Sequence, residues 1–287
     1  MNQQYVLTVG NGLLVKGGYS LGVTSLDPYN PLELPSHTIR CEFIDGYDVQ
    51  YQGIGDRRVQ VSSSPNVWDI TKYSDDWSSL FWPHYPSVIK SVIGANTEGV
   101  TNMGSLFRGQ SQLRSVCLFD TRSVTDMSYM FNQCRNLVSV PRFPASSVVT
   151  MRGMMSFCDV LQSVDLLDTG AVTDMTGMFE SCYVLASLPQ FDTHSVTSFL
   201  NICGQCYALK NIPTLDTSSA VTVSSMFSSC FGVESGALAL YNQMSSQATP
   251  PTNYANCFYR CGRDAPQAAP IHAEMAQIPT SWGGLME

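Results

Sequence analysis

The sequence predicts an α/β solenoid, a stack of about six 24-residue strand-turn-helix units over residues 96–233. An N-terminal β-rich attachment or capping domain at 1–95, ending in a helix, would precede the stack, and a C-terminal cap at 234–287 would follow it. Three observations predict this. "VTDMSYMF" at 124–131 returns as "VTDMTGMF" at 172–179, with a degraded copy, "VVTMRGMM", at 148–155 between them. Cys134, Cys158, Cys182, Cys206 and Cys230 are each 24 residues apart. Leu137, Val140 and Phe143 recur as Leu161, Val164 and Leu167, then as Leu185, Leu188 and Phe191. A unit this short cannot bury its apolar face alone, so stacking neighbours must supply one continuous core.

Each element of the unit follows from its residues. Val100, Val124, Val148, Val172 and Val196 anchor successive units, with Ala220 in the same place of a sixth. Met127, Met130, Phe131 and Cys134 fall at i, i+3, i+4 and i+7, one face of a short helix. Met151, Met154, Met155 and Cys158 repeat that spacing, as do Met175, Met178, Phe179 and Cys182. Thr125–Asp126 and Thr173–Asp174 stand where side-chain oxygens would serve the open amides of a helix N-terminus. The "LxxVxxF" stretch that follows is too short for a helix and reads as a strand or extended segment. Asp-Thr pairs at 120, 168, 192 and 216 close it with a turn. The period lies in the leucine-rich-repeat range of roughly 20–29 residues.

The repeat-locked cysteines read as small apolar residues buried once per unit, and as reduced thiols. "CGQC" at 203–206 has the spacing of a redox or zinc half-site, but Cys206 belongs to the column and Cys203 replaces a Phe or Met of other units. Core packing is the better reading. "CFYRC" at 257–261 aligns with "MFESC" at 178–182.

The unit "FDTxxVTDMxxMFxxCxxL" resembles the BspA-type leucine-rich repeat of bacterial surface proteins and of proteins encoded by gut bacteriophages and prophages. The resemblance covers roughly residues 96–233, and segments on both sides resemble the flanks of such repeats. It implies a curved solenoid used for adhesion or protein contact, with no enzymatic activity. Gln110 in the cysteine column and Phe199 at the first helical Met depart from the pattern.

In the flanks, "YVLTVGNGLLVKGG" at 5–18 reads as a hairpin and "HTIRCEFIDGYDVQY" at 37–51 as a half-buried strand. "SDDWSSLFWPHYPSVIKSVIGAN" at 74–96 reads as an N-capped helix, broken near Pro83, that then joins the first unit. Trp68, Trp77 and Trp82 would cover the first unit, a carbohydrate platform being the other reading. After Val233, "SGALALYNQMSS" reads as a helix, 248–253 as a loop and 254–262 as a last degenerate unit, with "IPTSWGGLME" folding back over it.

The chemistry expected from the chain is sparse. His37, His84, His194 and His272 sit in no metal or nucleophile motif, and no serine is framed as an elbow nucleophile. Asp165, Asp168 and Asp174 lack the spacing of a calcium loop. No enzyme activity, cofactor or metal is expected. A formal net charge of −8 argues against nucleic acid, and no apolar run approaches the roughly 20 residues of a membrane span, so no membrane insertion is expected. The start lacks a basic segment followed by an apolar one, so no signal peptide is read there. Charge is uneven. Residues 100–152 hold six Arg against Asp120 and Asp126, net +4; residues 153–233 hold Lys210 against six Asp and Glu180, net −6. The gradient would steer assembly, or reflect drift at solvated positions.

Taken together, the sequence points to a non-enzymatic structural and binding protein: a phage virion component, whether decoration, fibre or tail-associated, assembled in the host cytoplasm. The alternatives are a bacterial cell-surface adhesin and a cytoplasmic interaction scaffold. Its partners would be other virion proteins, a host-surface receptor, or further copies of itself. Val116, Val140, Val164, Leu188 and Ile212 are constant in character and should face the core. Two columns vary freely: Arg114, Val138, Gln162, Ala186 and Lys210, and Leu118, Arg142, Leu166, Gln190 and Thr214. They form the candidate partner-binding face, since uniform columns serve packing whereas a varying one can encode a partner.

Overall fold

The computed structural model describes residues 34, 36–44, 56–60, 67–72, 74–81, 87–165 and 167–284. The hairpin read at 5–18, residues 82–86 with Trp82, and Leu166 lie outside them.

Hydrogen bonding repeats with the sequence period. Asp76, Asn102, Asp126, Thr150, Asp174, Ser198, Thr222 and Asn253 are joined in that order by parallel bridges. Each residue begins a unit, and we refer to units by these residues. Inside a unit the N–H groups alternate. Those of Met127, Tyr129, Phe131 and Gln133 donate to Thr150, Arg152, Met154 and Ser156 of the next unit at 2.8–3.1 Å. Those of Met130, Asn132 and Cys134 donate to the carbonyl three residues back at 3.0–3.2 Å.

This pattern is a run of overlapping turns. Among the described residues of 96–233 no α-helix is assigned, so the short helix expected in each unit is corrected to a turn ribbon. The reason lies in the backbone. Tyr129 and Gln133 have φ of 57° and 62°, and the same two places recur at Gly153 and Phe157, Gly177 and Ser181, Asn201 and Gln205, and Ser225 and Ser229. Left-handed residues at the third position of a four-residue turn are what type II turns need, and they interrupt the i→i−4 ladder of a helix. The apolar spacing is unaffected: Met127, Met130, Phe131 and Cys134 are all fully buried. At Gly153 a side chain would place its Cβ about 2.5 Å from the Tyr129 ring, so glycine is the fitting residue.

The other side of the unit is extended and pairs sparingly. Strands β1 (Thr38–Phe43), β2 (Asp56–Gln60), β3 (Val67–Lys72), β4 (Ile89–Asn96) and β5 (Ser115–Val116) form a sheet in the order β2-β3-β1-β4-β5. Its first four strands are antiparallel to their neighbours, whereas β4 and β5 pair in parallel, Ser91 with Ser115 and Val92 with Val116. The sheet thus changes from antiparallel to parallel where the sequence period begins. Two further strands, β6 (Ser139–Val140) and β7 (Ser163–Val164), also pair in parallel.

Residues 74–96, expected as a broken helix, are corrected in both parts: 74–81 are a turn unit as well, and Ile89–Asn96 is strand β4, held extended by its pairing with β1. Trp77, Ser79 and Phe81 donate to Asn102, Gly104 and Leu106 at 2.8, 2.7 and 3.3 Å. Trp77 is fully buried and Phe81 stacks on Phe107 at 5.4 Å. The offset from Asp76 to Asn102 is 26 residues, which hides this unit from a 24-residue register. At the other end α1 (Ala237–Ser245) and α2 (Ile271–Met275) flank the Asn253 unit. Glu274 of α2 accepts from the N–H groups of Gly236 and Leu238 at the start of α1, at 3.2 and 3.0 Å. Trp282 folds back, accepting from Phe258 N–H at 2.9 Å and stacking on Tyr254 at 4.3 Å. One hydrophobic cluster runs from Ile39 to Trp282.

Candidate functional site

The candidate face is built on the extended side of the units. Arg114, Val138, Gln162, Ala186 and Lys210 are all exposed. Backbone bonds place them in register: Arg114 N–H to Lys90, Val138 to Arg114, Gln162 to Val138, Lys210 to Ala186 and Glu234 to Lys210, at 2.7–3.4 Å. Of the second column, Arg142, Gln190 and Thr214 are exposed, Leu118 is half-buried and Leu166 lies outside the described residues. Gln190 Nε2 donates to the Thr214 carbonyl at 2.7 Å, tying neighbouring members together. The residues expected to face the core divide: Val140, Val164 and Ile212 are buried, while Val116 and Leu188 are half-buried against the core.

The charges on this side are partly satisfied. Arg122 pairs with Asp120, Arg135 with Asp159 at 2.8 Å, and Lys210 with Glu234 at 2.9 Å. The Arg122 guanidinium bonded to Asp120 holds its carboxyl below the usual range. Arg114 and Arg142 have no carboxylate within salt-bridge distance among the described residues, so the positive charge of residues 100–152 emerges on the candidate face.

The cysteine column is buried and its thiols donate in a repeating pattern. Cys134, Cys158, Cys182, Cys206 and Cys230 donate Sγ–H to the carbonyls of Phe107, Phe131, Met155, Phe179 and Cys203 in the preceding unit, at 2.9–3.3 Å. A thiol therefore spans each of the five unit boundaries from Asn102 to Thr222, a role that spacing alone did not reveal. Burial pushes the Cys158, Cys182 and Cys230 thiols far up, and that of Cys117 up to about 12. A thiol held in its neutral form is a poor nucleophile or metal ligand. Gln110 takes the column position of the Asn102 unit, and its Oε1 accepts from the N–H groups of Val88 and Ile89 at 3.3 Å.

Polar side chains close the turns. Asp76, Asn102, Asp126 and Asp174 accept from the N–H two residues on, at 2.7–2.8 Å. The oxygens assigned to a helix N-terminus thus serve turn amides instead. In the Asp-Thr pairs the threonine reaches onward: Thr169 and Thr193 donate to the carbonyls of Asp192 and Asp216 at 2.7 and 2.9 Å.

One column, exposed at Arg135 and Tyr207 and half-buried at Asp159, Tyr183 and Phe231, was missed. The residue after each column cysteine runs Arg135, Asp159, Tyr183, Tyr207, Phe231. Tyr183 stacks on Tyr207 at 5.0 Å and Tyr207 on Phe231 at 4.9 Å, with the Arg263 guanidinium 3.6 Å above the Phe231 ring. Its signal was the aromatic recurrence at positions 183, 207 and 231.

With this geometry in hand, comparison with known proteins places the chain in one family. Two overlapping matches, at residues 76–186 and 151–256, cover most of the chain, and it belongs to the DUF285 family, described as a Mycoplasma protein of unknown function. The first match begins at Asp76, the residue that opens the first bridged unit. No curated protein and no solved structure matches the chain.

Proposed function

We propose that this chain is a non-enzymatic structural and binding protein of the BspA-type leucine-rich-repeat kind, a solenoid that serves as a phage virion component presenting its extended side to a protein or host-surface partner. The observation that carries this reading is the division of labour within the unit. Inward positions repeat and pack, whereas the column from Arg114 to Lys210, registered by backbone bonds at Arg114, Val138, Gln162 and Lys210, and the exposed Arg142, Gln190 and Thr214 differ in chemistry from unit to unit. Variation confined to an ordered, exposed column is how repeat proteins encode one partner on a common frame. The buried, neutral thiols and the use of aspartates and threonines as turn closures leave the chain's reactive groups engaged in structure.

Detection of the polypeptide in purified particles by mass spectrometry tests the virion assignment, and its absence there would overturn it. A second reading, a bacterial cell-surface adhesin, draws on the occurrence of DUF285 domains in BspA-like surface proteins. Surface labelling of intact host cells distinguishes the two, since an adhesin is labelled without particle production.

A further inference from the structure

We infer that the end of the stack holds a site for a small carboxylate with an apolar body, and that Arg260 binds the carboxylate. A cavity of about 270 Å³ lies against the Asn253 unit, and its walls include Tyr259, Arg260, Arg263, Met275, Gly283 and Gly284. Small-molecule sites are concave and largely apolar, with a few polar groups held in place.

The polar group held in place here is a backbone N–H without an acceptor. Arg260 stands at the unit position of Gly109, Gln133, Phe157, Ser181, Gln205 and Ser229, whose N–H groups donate to a carbonyl of the next unit at 2.7–2.8 Å. It keeps their left-handed backbone, with φ of 57° against 62° at Gln133 and 60° at Ser229, so its N–H leaves the stack in the same direction. Among the described residues no further unit meets it. Trp282 lends its carbonyl to Phe258 at 2.9 Å, and the two-residue step of the ribbon would bring Gly284 to Arg260. Gly284 N–H instead turns back to Pro279 at 3.1 Å, and no described oxygen reaches the Arg260 N–H. The N–H groups of Tyr254 and Asn256 are open too, but they lie outside the cavity wall.

Charge points to the same ligand. The Arg260 guanidinium lies 5.0 Å from the centre of the Tyr259 ring, itself part of the wall, and has no carboxylate within salt-bridge distance among the described residues. The acidic side chains nearest in sequence are engaged elsewhere: Asp264 holds Arg263 at 2.8 Å, and Glu274 accepts from the start of α1. The cavity wall thus carries two arginines and no carboxylate. A bound carboxylate completes it, one planar oxygen taking the place of the missing carbonyl on the N–H and the other meeting the guanidinium. Met275 and the Tyr259 ring offer its body an apolar wall, which a strongly hydrated inorganic anion would leave unused.

Titration of the isotope-labelled full chain with sodium benzoate, followed by nuclear magnetic resonance, tests the inference. The Arg260 amide should shift along a saturating curve, while the amide of Arg152, an exposed arginine of the turn side, should stay in place. Arg260→Gln keeps the backbone N–H and removes the charge. At this exposed position it should leave the circular dichroism unchanged and weaken benzoate about tenfold, the order of one lost charge-assisted hydrogen bond. Arg260→Lys should recover part of that loss, and benzamide, neutral and of the same shape, should bind about tenfold more weakly than benzoate. An Arg260 amide that does not move, an Arg260→Gln variant that binds benzoate as before, or equal binding of benzamide or of sodium sulfate would each overturn the proposal. The probe does not involve Arg114 or Arg142, so recognition through the extended side stands or falls separately.

Discussion

The two sides of the 24-residue unit obey different rules. On the turn side the bridge runs from Asp76 to Asn253 through eight residues without a break. On the extended side the strands end with β7, pairing returns only as a bridge between Asn211 and Ser235, and no backbone bond joins Ala186 to Gln162 among the described residues. Composition explains the difference. Pro141, Pro189 and Pro213 occupy one position of the extended side and carry no N–H, so the rung that Cys117 makes to Val92 at 2.9 Å and Asp165 to Val140 at 3.3 Å cannot be repeated in their units. The turn side has no proline at its donating positions, and every amide from Met127 to Cys134 finds an acceptor in its own or the next unit. The lesson is that the turn ribbon holds successive units in register, which frees the extended side to vary.

The comparison is broken or sharpened by substitutions on each side. The largest effect is expected in the core behind the turns. Met178→Ala should cost about 2–5 kcal/mol in urea melts, as large-to-small changes at fully buried sites do. A loss under about 0.5 kcal/mol would mean that the turn side does not carry the stability assigned to it. Next comes the polar closure of a turn. Asp126→Ala removes the acceptor for Ser128 N–H at 2.7 Å and should cost about 1 kcal/mol, the usual loss when a side-chain cap is deleted. Asp126→Asn, which keeps an acceptor oxygen, should recover most of it.

Thiol chemistry sharpens the same contrast without altering the fold. Native protein should react slowly with a thiol reagent, because the column cysteines are buried and their thiols are pushed up by desolvation. After unfolding without reductant all ten cysteines should titrate. Nearly no free thiol in that sample would show that bridges, rather than Sγ–H donors, join the units. The smallest effect on stability belongs to the extended side. Arg142→Glu combined with Gln190→Glu should change stability by under about 0.5 kcal/mol, since both residues are exposed, while weakening partner attachment. Unchanged attachment would move the recognition surface away from this face.

Periodicity within the sequence was enough to identify which side chains turn inward. Met127, Met130, Phe131 and Cys134 were read as one apolar face, and all four are buried, as is the cysteine column. Burial depends on spacing along the chain, and a substitution pattern repeated every 24 residues records it directly. The local conformation that achieves the burial was not legible. Apolar residues at i, i+3, i+4 and i+7 suit a helix and a ribbon of alternating turns alike, and only the route of each N–H, to its own turn or to the next unit, tells them apart. That route is a contact between residues 23 apart, paid for by positive φ at Tyr129 and Phe157, residues that local preference alone would keep out of the left-handed region. The Asp76 unit escaped for a related reason: its 26-residue offset breaks the count, while its partners at Asn102, Gly104 and Leu106 are set by stacking. The candidate face shares this limit. Which residues vary could be read from the repeat, but their exposure, the pairing of Arg135 with Asp159 and the stacking of Tyr183, Tyr207 and Phe231 arise between units, where only the tertiary structure brings the groups together.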